Sequence, residues 1–195
     1  MLKIAVFGSG RGSNFTALQN AIIKEKFDAQ VVLVISNNSK SGVLETARSF
    51  NIPALHISQK QFQNEDTFNK KILELLREHD VNFIVLAGYM KKIDSSLTKV
   101  FHNRIINIHP ALLPKFGGEG MFGKHVHEAV IAAKEKKSGA TVHYVNDEYD
   151  RGAIIAQAKV DVEESDTAEL LATKVLAIEH RLLPDVVKKF SENKI

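Results

Sequence analysis

Short, mostly apolar runs alternate with longer stretches in which apolar residues recur every three or four positions. Leu2–Phe7, Val31–Ile35, Phe83–Ala87 and Ile105–His109 are runs rich in Val, Ile and Leu, the pattern of strands buried on both faces. Between them, Asn14–Lys24, Val43–Phe50 and Thr67–His79 predict helices. In the last of these, Ile72, Leu75 and Leu76 fall on one face. Strand–helix–strand alternation predicts an α/β fold with a mostly parallel, twisted sheet, right-handed crossovers and helices on both faces.

The texture changes after His109. Pro110–Lys124 holds two prolines and four glycines and reads as a loop, and Lys124–Lys136 reads as a helix. Ala140–Val145 and Ile154–Val160 predict an antiparallel pair joined by the turn Asn146–Gly152. A long helix is expected from about Thr167, where Leu171, Val175, Ile178 and Leu182 step by four, three and four. Pro184 should kink or restart it. With no repeat, linker or low-complexity tract, the 195 residues predict a single domain, 1–195. An open sheet of this kind binds ligands at the carboxyl ends of its strands.

Composition narrows the classes. No apolar run approaches the roughly 18 residues of a membrane span, and the N-terminal run is too short for a secretory signal. The chain has no cysteine, which removes disulfides, thiolate nucleophiles and Cys-ligated zinc and suits a cytoplasmic enzyme. A net charge of +3 is spread along the sequence. It suits small anions as well as nucleic acid, and no aromatic–basic repeat of a base-stacking surface is present, so charge alone decides nothing.

Three places carry candidate chemistry. Gly8-Ser9-Gly10-Arg11-Gly12-Ser13-Asn14 closes the first strand and opens the first helix, where free N–H groups and the helix dipole favour a phosphate. A dinucleotide fingerprint would want glycine at Ser13 and an acid near Ser36-Asn37-Asn38; a ligand-free structural turn is the other alternative. At the end of the fourth run, Asn107 and His109 share a face, a polar pair suited to stabilising an oxyanion or to holding a turn. The turn Asp147-Glu148-Tyr149-Asp150-Arg151-Gly152 carries three acids within four residues. One of them could orient His109 and raise its pKa, although spacing does not say which. His125-Val126-His127 could suggest a metal, but two residues so spaced on a helix do not face each other, and no zinc spacing is present.

Gly10–Asn14, Val85-Leu86-Ala87-Gly88-Tyr89-Met90, Asn107-Ile108-His109-Pro110-Ala111-Leu112-Leu113-Pro114, Thr141–Val145, Asp147–Gly152 and Glu179-His180 occur in this order. The set resembles the phosphoribosylglycinamide formyltransferase family, folate enzymes of purine synthesis, over nearly the whole chain. The resemblance implies the formyltransferase fold and 10-formyltetrahydrofolate as cosubstrate, with no metal. It implies small-molecule partners only, no nucleic acid or membrane, and a monomer or homodimer. Residues 1–105 would form a nucleotide-binding half and 106–195 a catalytic and folate-binding half. Asn107, His109 and Asp150 would be catalytic. Gly12, Ser13, Asn14 and Glu179 would bind the ribonucleotide, Glu179 near its amine. Met90, Lys91, Lys92, Ile93 and Asn107, with Asn146, Asp147, Glu148, Tyr149 and Asp150, would bind the folate. Two departures stand out: the connection Phe116–Lys124 is longer than in many relatives, and a basic residue found near Glu65 in some is missing. A deformylase of the same superfamily would be expected to carry an extra N-terminal domain, and a methionyl-tRNA formyltransferase an extra C-terminal one. A non-catalytic nucleotide-binding module would leave Asn107, His109 and Asp150 without a role.

Overall fold

The computed structural model describes residues 1–195. Seven strands form one sheet in the order β3-β2-β1-β4-β5-β6-β7. The first five are β1 (Leu2–Phe7), β2 (Ala29–Ser36), β3 (Ala54–His56), β4 (Phe83–Leu86) and β5 (Ile105–His109), all mutually parallel. β6 (Lys137–Tyr144) and β7 (Ile154–Asp161) add antiparallel strands beyond β5. The helices are α1 (Ser13–Glu25), α2 (Gly42–Ser49), α3 (Glu65–Glu78), α4 (Ser95–Val100), α5 (Lys124–Ala132) and α6 (Ala168–Ser191). None is long and apolar enough to cross a membrane.

Strand alternation divides the interior into two cores. Ile4 and Val6 of β1 face α1, α2, α5 and α6, packing with Phe15, Leu18, Val43, Leu44, Val130, Leu171 and Val175. Ala5 and Phe7 face the other way, toward Ile72, Leu75 and Leu76 of α3 and Leu97 of α4. A sheet buried on both faces explains why its central strands read as mainly apolar runs. Three of the six helix starts, those of α3, α4 and α6, are capped by short polar side chains. Asn64 accepts from the Thr67 N–H at 2.9 Å, Asp94 from Ser96 at 2.8 Å and Thr167 from Leu170 at 3.2 Å. The Asn64 cap starts α3 two residues before the expected Thr67.

Other boundaries differ from the sequence reading. α5 stops at Ala132, short of Lys136, because Lys134 turns the chain at φ 52°. β6 then begins at Lys137, where pairing with Asp161 sets its start. α6 runs unbroken through Pro184, which lies buried against the larger core. Proline loses its own N–H bond and crowds the carbonyl four residues back, and the packing on either side holds the helix across that point. β3 and α4, three and six residues long, have no distinct apolar period.

Candidate active site

The strand order reverses between β1 and β4, and ligands of open α/β sheets bind in the crevice at such a point. Here it opens into a cleft of about 780 Å³, within the usual range for small-molecule sites. Its walls are Gly10–Asn14 after β1, Ala87–Met90 after β4, Asn107–Pro110 at the end of β5, the segment Gly118–Lys124, and Tyr149, Asp150 and the inner face of α6. Ser9 ties two of these walls together: its N–H donates to the Gly88 carbonyl at 3.0 Å, and its hydroxyl accepts from the Met90 N–H at 2.9 Å.

At one end lies the start of α1. Gly12 caps it at φ 85°, and a Cβ there would come within 2.8 Å of Val43, so backbone handedness and packing both require glycine. The first bond of the helix runs from the Thr16 N–H to the Gly12 carbonyl, 2.9 Å. The N–H groups of Ser13, Asn14 and Phe15 precede it and have no partner within the helix. Asn14 donates from Nδ2 to Glu179 Oε2 at 2.9 Å, while its Oδ1 is enclosed without a partner. Glu179 is 6% exposed. Burial pushes its carboxyl up to about 7, against the opposing Asn14 hydrogen bond.

At the other end, Asn107, His109, His143 and Asp150 converge. Asp150 Oδ2 is 3.5 Å from His109 Nδ1 and accepts from the Gly118 N–H at 2.9 Å. Asp150 Oδ1 lies 3.5 Å from both His143 Nε2 and Asn107 Nδ2. His143 donates from Nδ1 to the Tyr144 carbonyl at 2.8 Å, leaving Nε2 to accept from Asn107 Nδ2 at 3.1 Å. His109 Nε2 donates to the Phe116 carbonyl at 2.7 Å. Asp150 and Phe116 both hold left-handed backbone, φ 54° and 55°, a conformation uncommon outside glycine and easier for Asp than for Phe. Thr141, opposite His109 in the sheet, fixes the chain leaving β5: its hydroxyl donates to the Ala111 carbonyl at 2.6 Å and accepts from the Leu113 N–H at 3.1 Å.

The sign of the His109 shift reverses the expectation from sequence. Its pKa is lowered: burial of the ring dominates, and the Asp150 charge and Phe116 carbonyl oppose it without overcoming it, with His143 lowering it further. Burial raises the Asp150 carboxyl, but its contacts with the His143 and His109 rings and the Gly118 N–H together bring it below the ordinary range. The pair at rest is therefore a carboxylate beside a neutral imidazole.

His143, Phe116 and Gly118 were not singled out from sequence. Only the β5–β6 register, which sets His143 opposite Asn107, points to the first. Of the residues expected along a folate, Met90, Asn107, Tyr149 and Asp150 line the cleft, whereas Lys91, Lys92, Ile93, Asn146, Asp147 and Glu148 do not. The Ile93 side chain sits in the smaller core. Lys91 and Lys92 are exposed, with Lys92 Nζ 6.0 Å from the Tyr149 ring centre. Asn146 accepts from the Glu148 N–H at 3.1 Å, Asp147 accepts from the Thr98 hydroxyl at 2.6 Å, and Glu148 is exposed. His125 and His127 do not converge: His125 is exposed beside Glu128, and His127 is buried in the cleft wall.

Residues 2–187 match the formyl transferase family. The chain is 43% identical over 194 residues to the chloroplastic phosphoribosylglycinamide formyltransferase of Arabidopsis thaliana, covering 99% of this chain and 66% of that protein. It therefore spans just under two thirds of that relative's length. It is 39% identical to the phosphoribosylglycinamide formyltransferase of Bacillus subtilis (strain 168), covering 97% of this chain and 94% of that one. The crystal structure of glycinamide ribonucleotide transformylase 1 from Symbiobacterium toebii superposes with a TM-score of 0.92 at 35% identity, over 99% of this chain and 89% of that one. With its sheet, cleft and strand-end cluster, the chain belongs to the formyl transferase family, whose members use a folate cosubstrate, and within it to the phosphoribosylglycinamide formyltransferases.

Proposed function

We propose that the protein transfers the formyl group of 10-formyltetrahydrofolate to the glycinamide amine of glycinamide ribonucleotide, a step of purine synthesis in the cytoplasm. One observation carries the reading. A single cleft joins an anion-ready helix N-terminus to a buried Asn107–His109–Asp150 cluster. The N–H groups of Ser13 and Asn14, with the open turn at Gly12, take the substrate phosphate. Glu179, linked to that turn through Asn14, faces the ribonucleotide and its amine. The folate lies along the opposite wall, against Met90, Asn107, Tyr149 and Asp150, the residues of the Met90–Ile93 and Asn146–Asp150 segments and of β5 that reach the cleft. One chain supplies every group named, so either a monomer or a homodimer suffices. Residues 1–105 carry the phosphate turn; residues 106–195 carry the reacting cluster and also lend Glu179 to the ribonucleotide.

The amine nitrogen attacks the formyl carbon, and the carbonyl electron pair moves to oxygen. Collapse of that oxyanion breaks the bond from carbon to the folate nitrogen; the amine loses a proton and the folate nitrogen gains one. No enzyme nucleophile is needed. In the resting geometry both donors near this carbon are already engaged, His109 Nε2–H by the Phe116 carbonyl and the Asn107 amide by His143 and Asp150. In this reading the formyl oxygen takes the place of the Phe116 carbonyl. Its developing charge draws a proton onto His109, and Asp150 stabilises the imidazolium that forms. Because burial otherwise disfavours that cation, the assistance is greatest when negative charge is present.

The test is absorbance of the folate with the purified protein, with and without the ribonucleotide. Folate release only when both are present is expected. Release at equal rate without the ribonucleotide would mean a hydrolase.

A further inference from the structure

His127 is buried in the cleft wall, and neither the reaction cluster nor the phosphate turn uses it. It lies in the first turn of α5 and is 5% exposed. Its Nδ1 is sealed from solvent and has no hydrogen-bond partner. Its ring forms part of the same cleft as His109, Asn14 and Glu179, so Nε2 is the polar atom able to meet a ligand. A polar ring lodged in an apolar helix face at the wall of a cleft, with Nδ1 unsatisfied, costs stability without returning an internal bond there.

The chemistry of the site restricts what the ring can be. A protonated His127 would bury an unpaired N–H and a charge. Burial, reinforced by the nearby His109, holds its pKa below the ordinary value. Of the two neutral forms, the one with the proton on Nδ1 would seal an orphaned N–H inside the protein, the rarer defect in native structures. The remaining form carries its proton on Nε2 and presents a fixed, uncharged donor to the cleft.

We infer that His127 is a substrate-binding residue whose Nε2–H donates to an oxygen of the ribonucleotide lying between its phosphate and its reacting amine. The position follows from the walls. α5 packs against α6, which brings Glu179 to the phosphate turn, and His127 lies within electrostatic reach of His109. The folate-side residues Met90 and Tyr149 belong to other loops. An uncharged donor suits a carbonyl or hydroxyl oxygen, and a buried donor loses more than a surface one when its acceptor is absent. The assignment rests on the transfer reaction proposed above.

The test compares His127→Gln and His127→Asn. The Gln amide nitrogen reaches the place of Nε2, whereas the Asn amide nitrogen reaches only that of Nδ1. His127→Gln should keep the KM and calorimetric Kd for glycinamide ribonucleotide within about threefold of wild type. His127→Asn should raise both by about tenfold, the loss of one hydrogen bond. The KM for the formyl folate should stay within about twofold in each, and thermal melting should confirm that both fold. Equal ribonucleotide affinity in the two variants and the wild type overturns the inference alone, as does an equal rise in both substrates' KM. A wild-type protein that neither binds the ribonucleotide nor transfers the formyl group overturns the function and the inference together.

Discussion

Replacing Glu179 with Gln should make the ligand-free protein more stable above neutral pH while weakening its hold on the ribonucleotide. Glu179 is buried and carries a carboxyl pushed up from 4.5 to about 7. The sign follows from proton uptake. Between those two pH values the folded chain holds this proton and the unfolded chain does not, so stability falls as pH rises through the window. Below 4.5 both states are protonated and the stability contribution is fully present; above 7 it is lost. The interval corresponds to about 3 kcal/mol at 1.36 kcal/mol per pH unit, a large share of the ~5–15 kcal/mol that holds a typical domain together. Gln cannot titrate, keeps the size of the side chain, and can still accept from Asn14 Nδ2 while offering a donor to the enclosed Asn14 Oδ1. Urea unfolding of both proteins at intervals from pH 4.5 to 8.5 gives the comparison. Histidines whose pKa burial lowers, such as His109 and His180, contribute equally to both curves and largely cancel in the difference. The Gln variant should gain on wild type as pH rises, by up to about 3 kcal/mol at pH 8. A difference that stays flat across the window would mean that Glu179 ionises as an ordinary surface acid, and the account of the site as a destabilised, ligand-awaiting carboxyl would fall.

Asp150→Asn keeps the shape of the turn but removes the charge that opposes the burial effect on His109; turnover should fall on the order of 100-fold, with the His109 limb of the pH–rate profile moved to lower pH. Combined with His109→Ala it should cost little more than His109→Ala alone, since the acid acts through the ring; losses that multiply, or an unchanged profile, would reduce Asp150 to a turn residue. Gly12→Ala places a Cβ against Val43 at φ 85° and should cost about 2 kcal/mol or more in urea unfolding and raise the KM for the ribonucleotide, while a melt and a KM equal to wild type would remove the phosphate turn from the site.

The parts legible in the sequence are those fixed by local pattern. Buried parallel strands need apolar side chains on both faces, so β1, β2, β4 and β5 announce themselves, and polar residues at the end of such a strand stand out. Asn107 and His109 could thus be singled out, and the glycine turn before α1 was legible because few side chains fit it. Elements of three and six residues, β3 and α4, carry too few positions for a period to emerge. The effect of Pro184 is illegible for a related reason: a missing hydrogen bond is a local fact, but its consequence depends on the packing of the whole helix, and α6 is held by the larger core on both sides of it.

The partners of the catalytic ring lie beyond any local pattern. Asp147 and Asp150 share one turn, yet Asp147 is taken by the Thr98 hydroxyl, while the left-handed backbone at Asp150 aims its carboxylate between two imidazoles. That choice belongs to the joining of β6 to β7 and to the Phe116–Gly118 segment, which brings a carbonyl to one side of His109 and an N–H to Asp150. The direction of the His109 shift has the same origin. Sequence places an acid nearby and suggests a raised pKa, but the sign is decided by how deeply the fold buries the ring, and at 3% exposure desolvation outweighs one carboxylate. A ring kept neutral at rest, with a carboxylate and a carbonyl both able to accept its protons, is poised to take a charge only when an anion forms beside it. It can therefore respond to the transition state of the proposed transfer without stabilising the ground state equally.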